Sequence, residues 1–91
     1  MDKKEIAMHL RAGNAAGKER TCGLKVQHDT LEGAQGHADA LNRRAEVVAG
    51  ERDRTEPYPC PWCSPSVFMA HFYWHVGREM TAEEREQYGT A

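Results

Sequence analysis

The feature that most constrains this chain is a pair of cysteines in a short turn, Cys60-Pro61-Trp62-Cys63. Two thiolates separated by two residues can fold back onto one metal ion, and the amides of such a turn can donate to the sulfurs. Prolines before, between and after the cysteines fix φ and remove backbone donors, so this stretch cannot be helical. The turn therefore predicts a metal knuckle that supplies half of a tetrahedral site.

The alternative for this pair is a thioredoxin-like redox site. There the first cysteine lies at the N-terminus of a helix that follows a parallel strand. In this chain Pro65 and the alternating apolar run after it do not begin a long helix. The metal knuckle is therefore the favoured interpretation.

Length and cysteine count indicate how the fold is stabilised. With 91 residues there is room for one domain, because two halves would each be too small to bury a core. Three cysteines are an odd number, and the polar start Met1-Asp2-Lys3-Lys4-Glu5 lacks an apolar signal segment, so a secreted disulfide scaffold is not indicated. We expect a cytoplasmic protein. Residues 67–76 are about half the length of a membrane helix, so no membrane partner is expected.

One apolar periodicity predicts the main helix. Asp29 and Glu32 form a candidate capping box at its start, and Gly50 marks its end. The apolar positions recur at steps of three and four residues: Leu31, Ala34, Ala38, Leu41, Ala45 and Val48. Such a narrow stripe is typical of a helix that packs against a sheet.

Short strands are expected around this helix. Residues 21–28 alternate, and residues 67–76 are rich in branched and aromatic side chains, so both segments are predicted as strands. Asp2 predicts an N-terminal helix over residues 2–12, and Thr81 with Glu84 predicts a C-terminal helix that ends at Gly89. The expected fold is a small zinc-stapled α+β domain at 21–80, zinc-ribbon-like, with a helical or flexible arm at 1–20 and a helical tail at 81–91.

A structural zinc needs two ligands beyond Cys60 and Cys63. Cys22 is the remaining cysteine, although a free cysteine is also common as a small buried apolar residue. His71 and His75 compete for the fourth position. In a strand they stand ~13 Å apart, so only one can bind, whereas in a helix they are ~6 Å apart and both could bind without Cys22.

Several of these residues together carry a resemblance to known proteins. They are Cys22, Tyr58, Cys60, Cys63, Trp74, His75 and Gly77. A cysteine, a helix, Tyr-x-Cys-x2-Cys and a later Trp-His-x-Gly in this order resemble small zinc-ribbon-like proteins encoded by phages of actinobacteria. The resemblance covers roughly residues 21–78 and implies Zn²⁺ at Cys22, Cys60, Cys63 and His75. In that pattern only a few residues separate the second knuckle cysteine from Trp-His. In this chain residues 64–73 stand between Cys63 and Trp74, which keeps His71 as an alternative ligand.

A closed site of four protein ligands has no open coordination position, so an enzyme is not expected. The net charge of −2 and an aromatic segment favour a protein-interaction module, and the resemblance implies a phage factor that binds a host protein. The candidate interface residues are Phe68, Phe72, Tyr73 and Trp74. The alternative is a nucleic-acid-binding zinc module that uses Arg43, Arg44, Arg52 and Arg54. Lacking metal-like spacing, His9, His28 and His37 are expected to be surface or helix-face residues.

Overall fold

The computed structural model describes residues 1–63 and 72–89, so Phe68 and His71 lie outside the described residues. The elements in chain order are α1 (Lys3–Ala16), α2 (Lys18–Thr21), α3 (Leu31–Asn42), α4 (Ala45–Val48), β1 (Thr55–Pro59), β2 (Trp74–Arg78) and α5 (Ala82–Gly89). The predicted α+β class is confirmed, since helices pack around a two-stranded antiparallel sheet.

The sheet pairs β1 with β2 over their full lengths, from Thr55 opposite Arg78 to Pro59 opposite Trp74. The prolines in β1 have no amide to donate, which suits an edge strand. On the side of β2 that faces away from β1, Trp74 exchanges two backbone hydrogen bonds of 2.8 Å with His28. This bridge brings the segment after Cys22 alongside β2.

The strand predicted over residues 21–28 is wrong except for that bridge. Helix α2 runs through Thr21, and the chain then turns over residues 22–24. Gly23 takes a φ of +38°, a left-handed conformation that glycine tolerates and most residues avoid. Of the strand predicted over residues 67–76, residues 67–71 lie outside the described residues, and the described strand β2 begins at Trp74, where its pairing with β1 begins.

The main helix predicted from the apolar stripe is divided into α3 and α4. The helix ends after Asn42, whose side chain bonds the backbone N and O of Thr55 at 2.8 and 2.9 Å. Arg44 is extended, with ψ of 144°, and begins the separate α4. The N-cap is Thr30 and not Asp29, since the Thr30 hydroxyl accepts from the Gly33 amide at 3.0 Å.

The contact of α3 with the sheet depends on small side chains. Ala34 and Ala38 are fully buried where α3 packs on β1 and β2. The later part of the predicted stripe does not pack in the same way, because Val48 on α4 is 75% exposed. Apart from the prolines of β1, the buried apolar side chains among the described residues are few: Met8, Ala34, Ala38, Cys60 and Trp74. Such a modest core suits a domain that needs additional stabilisation.

The two terminal helices pack against each other. Helix α1 begins at the predicted N-cap, where the Asp2 carboxylate accepts from the Glu5 amide at 2.8 Å. Helix α5 begins at the predicted capping box, in which Thr81 and Glu84 exchange hydrogen bonds of 3.0 and 3.2 Å. Helix α1 contacts α5, α2 and β1, so the segment predicted as an arm is helical and packed. Among the described residues, no helix combines the length and apolarity needed to cross a membrane.

Candidate metal centre

Four side chains from three separate parts of the chain converge at one point. Cys22 caps the C-terminus of α2, Cys60 and Cys63 follow β1, and His75 lies in β2. Their three Sγ atoms and one imidazole nitrogen all lie within 4.8 Å of one another. This arrangement brings together the four ligands that the resemblance implies, including His75. The group could hold a metal ion.

The separations suit one tetrahedral ion. Cys22 Sγ lies 3.0 Å from Cys63 Sγ, and Cys63 Sγ lies 3.2 Å from His75 Nε2. With metal bonds of about 2.3 Å to sulfur and about 2.0 Å to nitrogen, ligand atoms around zinc stand about 3.5 to 3.8 Å apart. These two distances are shorter than that, and all the pairs lie within 4.8 Å, so small side-chain rotations would place all four atoms around one ion.

The turn after β1 has the geometry of a metal knuckle. Cys60 is fully buried, and its backbone amide donates to the Tyr73 carbonyl at 2.9 Å, which continues the β1–β2 pairing. The amides of Trp62 and Cys63 donate to the Cys60 sulfur. Donation to sulfur stabilises a thiolate, which is the form that binds a metal. Cys60 is therefore a candidate ligand whose position is fixed by its backbone.

His75 is oriented by its second ring nitrogen. Its Nδ1 lies 2.7 Å from the Val26 carbonyl oxygen, to which it donates. That bond leaves Nε2 without a proton and directed at Cys63, the form in which imidazole binds a metal. The side chain is only 1% exposed. The loop that begins with Cys22 thus supplies one ligand and orients another.

Two of the three thiols, those of Cys60 and Cys63, are costly to ionise without a cation. Burial raises the pKa of Cys60. Burial, together with hydrogen bonds involving Cys22 and Cys60, raises the pKa of Cys63 to about 12. Three thiolates this close repel one another, so without a cation the protonated thiols are favoured. A bound divalent ion would attract the thiolates and reverse that preference. The donor set therefore fits a metal.

Tyr58 and Lys25 form an outer layer beside the thiols. The Tyr58 hydroxyl donates to the Thr21 carbonyl, next to Cys22, and accepts from Lys25 Nζ at 3.1 Å. Burial, followed by the nearby Cys60 charge, raises the pKa of Tyr58, so the hydroxyl stays protonated and can donate. This bond ties β1 to the end of α2. It gives a physical reason for the tyrosine of the Tyr-x-Cys pattern.

Burial separates the aromatic residues that the sequence suggested as an interface. Trp74 is 7% exposed, lies in the core and makes an edge contact with Phe72, with ring centroids 6.4 Å apart. Phe72 and Tyr73 are half-buried. Sequence patterns did not single out Trp62, whose ring is 43% exposed within the knuckle. Its position between the two knuckle cysteines was the available signal.

The other histidines and the arginines are also placed. His9, expected to be a surface or helix-face residue, lies on α1 but is only 3% exposed, because it faces β1 and α5. His28 and His37 are half-buried, and their ring nitrogens lie 3.0 Å apart. The four arginines proposed for nucleic-acid contact are all exposed: Arg43, Arg44, Arg52 and Arg54. Arg54 lies 3.9 Å from a carboxylate oxygen of Glu79.

Comparisons with protein-family models, with curated proteins and with solved structures find no significant match.

Proposed function

We propose that this chain is a structural zinc protein, with Zn²⁺ held by Cys22, Cys60, Cys63 and His75. The observation that supports the proposal is the convergence of three sulfurs and one imidazole nitrogen within 4.8 Å. Three soft thiolates and one imidazole are a donor set of structural zinc sites. Hard ions such as Mg²⁺ and Ca²⁺ prefer oxygen ligands and do not suit it.

Zinc at this position would cross-link the end of α2, the turn after β1 and strand β2. Structural zinc in small domains contributes about 10 kcal/mol or more to folding. That contribution is large beside a core with few buried apolar side chains. Four protein ligands leave no position for water or substrate, so we propose a structural role and not an enzyme.

We further propose that the zinc holds a surface for a protein partner. Two apolar side chains in the loop after Cys22 are exposed, Leu24 at 105% and Val26 at 59%. Trp62, inside the knuckle, is 43% exposed. Exposed apolar and aromatic side chains beside a rigid centre are typical of binding interfaces. The phage resemblance extends the proposal to a factor that binds a host protein.

The second candidate is a nucleic-acid-binding zinc module. One observation favours it: Arg43, Arg44 and Arg52 are exposed and form no ion pair with another described residue. The net charge of −2 argues against strong attraction to phosphate, because such affinity comes from clustered positive charge. The protein-partner proposal is therefore preferred.

The interaction role can be tested with matched surface variants. The zinc-loaded full chain serves as bait, beside a Leu24→Ser, Trp62→Ala double variant and a Val48→Ser control. Val48 is 75% exposed but lies on α4. We expect a partner that the wild type and the control retain and the double variant loses.

The rival function requires a different response. A nucleic-acid module would bind random DNA or RNA with an affinity that falls steeply as salt is raised, and Arg43→Gln with Arg44→Gln would weaken that binding. Such a result, with no protein partner sensitive to Leu24 and Trp62, would replace the interaction proposal.

A further inference from the structure

A cavity of about 450 Å³ lies between α1 and α2 on one side and the sheet and α5 on the other. Its walls include Ala12 and Ala16 of α1, Tyr58 of β1, and Tyr88 of α5. This volume is within the range of about 300 to 1,000 Å³ that small-molecule sites occupy. The four candidate metal ligands are absent from the lining of this cavity. Tyr58 and Lys25 lie between the cavity and those ligands.

A buried nitrogen of the cavity lining has no partner. His9 is 3% exposed, and its Nε2 makes no hydrogen bond within the described residues. The nearest carboxylate oxygen, Glu56 Oε1, is 3.8 Å away, beyond hydrogen-bond distance. Glu56 is already engaged, because it accepts from Met80 N at 2.7 Å and from Arg85 Nη2 at 2.8 Å. A buried polar atom of this kind is unfavourable unless a further molecule bonds it.

The charges on the cavity wall are unequally paired. Both acidic residues of the lining have arginine partners, since Glu56 binds Arg85 and Glu84 binds Arg78. Two basic residues of the lining, Arg20 and Lys25, form no ion pair with a described carboxylate. When ionised, Cys60 and Cys22 attract the Lys25 ammonium, whereas the Arg20 guanidinium has no described acidic partner on this wall.

The position of Lys25 is fixed by its neighbours. Its Nζ donates to the Tyr58 hydroxyl at 3.1 Å and lies 5.3 Å from the centre of the Tyr58 ring. Gly77 lies directly beneath, and a Cβ there would stand 3.1 Å from Lys25 Nζ and 3.0 Å from the Tyr58 ring. The glycine of the Trp-His-x-Gly pattern thus leaves room for a positioned ammonium on the cavity wall.

We propose that this cavity binds a small organic anion, a carboxylate or a phosphate monoester. Arg20 and Lys25 bind its charged group, and His9 Nε2 hydrogen-bonds a polar group of the same molecule. Alanine side chains of α1 and the ring of Tyr88 contact its apolar part. The site is separate from the zinc role, because none of its contacts uses a metal ligand.

Paired anionic and neutral probes test the proposal on the zinc-loaded full chain. Benzoate against benzamide tests a carboxylate, and adenosine monophosphate against adenosine tests a phosphate. The His9 imidazole and the Arg20 amide are followed by NMR. We expect a saturable shift with one anion and none with its neutral analogue. Arg20→Gln should weaken binding about tenfold or more, since a charged hydrogen bond is lost. The control Lys18→Gln, at an exposed position of the same helix outside the cavity lining, should leave it unchanged.

The proposal is overturned if neither anion gives a saturable His9 shift at millimolar concentration. It is also overturned if the neutral analogues act equally, or if Arg20→Gln binds as the wild type does. Arg20 is exposed, so its replacement should not unfold the chain. Zinc content is measured on the same samples, so a failure of the anion site is distinguished from a failure of the zinc proposal.

Discussion

The metal centre and the α1–α5 layer, formed by Lys3–Ala16 and Ala82–Gly89, are held together in different ways. At the candidate metal centre the four possible ligands come mainly from turns, and the crowded sulfurs would favour that geometry as thiolates only with a cation. In the α1–α5 layer regular helices meet through ordinary contacts, such as Arg11 Nε donating to the Tyr88 carbonyl at 2.6 Å, and Arg85 of α5 pairs with Glu56 of β1. Loss of a single ligand should therefore unfold the first region completely. Single substitutions in the second region should lower the stability of the fold only in small steps.

The largest effect is expected for Cys60→Ser. Cys60 is fully buried. Zinc binding would contribute about 10 kcal/mol or more to folding, which is comparable to a total stability of about 5 to 15 kcal/mol. We expect an unfolded chain without zinc, measured by circular dichroism and metal analysis. Excess chelator should act likewise on the wild type. A variant that melted at the wild-type temperature would show that the metal is peripheral and would remove the contrast between the two regions.

The next largest effect distinguishes the proposed ligands from the alternative ligand His71. Cys22→Ala and His75→Ala should each lose zinc, because a three-ligand remnant binds it far more weakly. His71→Ala is the control and should keep one zinc per chain. If Cys22→Ala kept full zinc while both histidine variants lost it, the site would be two cysteines and two histidines, and the proposed set of three cysteines and His75 would be wrong.

Overpacking beneath α3 should cost stability without costing zinc. Ala38 is fully buried against the sheet, so Ala38→Leu forces the helix outward and should destabilise by about 1 to 3 kcal/mol. Urea denaturation measures the change. Ala40→Leu, at an exposed position of the same helix, is the control and should be near neutral. Zinc lost in step with stability would mean that helix packing and metal binding are one unit.

The smallest effect is expected at the start of α5. Thr81→Ala removes the side chain that caps the Glu84 amide and should cost about 1 kcal/mol, while Thr81→Ser should restore most of it. Hydrogen bonds from the Thr81 amide and from Arg78 lower the pKa of Glu84. The stability that Glu84 adds is therefore present above the ordinary carboxyl pKa of 4.5 and is lost as pH falls through the lowered pKa.

Equal melting curves at pH 7 for Thr81→Ala and wild type would contradict the predicted contribution of the Thr81 cap.

Local signals in the sequence predicted the parts of the fold that depend on neighbouring residues. The Asp2 cap and the Thr81 capping box depend on side chains three residues apart, and both are present. The knuckle was predicted because proline and cysteine spacing limits the turn by itself. His75 was selected through the resemblance, since spacing alone left His71 open.

The remaining features depend on contacts between distant parts of the chain. The apolar stripe did not show the end of α3, which follows from the bond of Asn42 to Thr55. Alternation suggested a strand at 21–28, but the chain there turns to place Cys22 at the metal centre. His9 looked like a surface residue because its burial depends on β1 and α5. None of these contacts leaves a periodic signal in the sequence.

The structural zinc centre is tested most directly by native mass spectrometry of the 91-residue chain purified without added metal. We expect one zinc ion per chain, with all three cysteines free of disulfide and the ion removed only by strong chelator or acid. A chain that carries no metal and contains a Cys60–Cys63 disulfide would contradict the structural zinc centre and favour the redox interpretation of the knuckle.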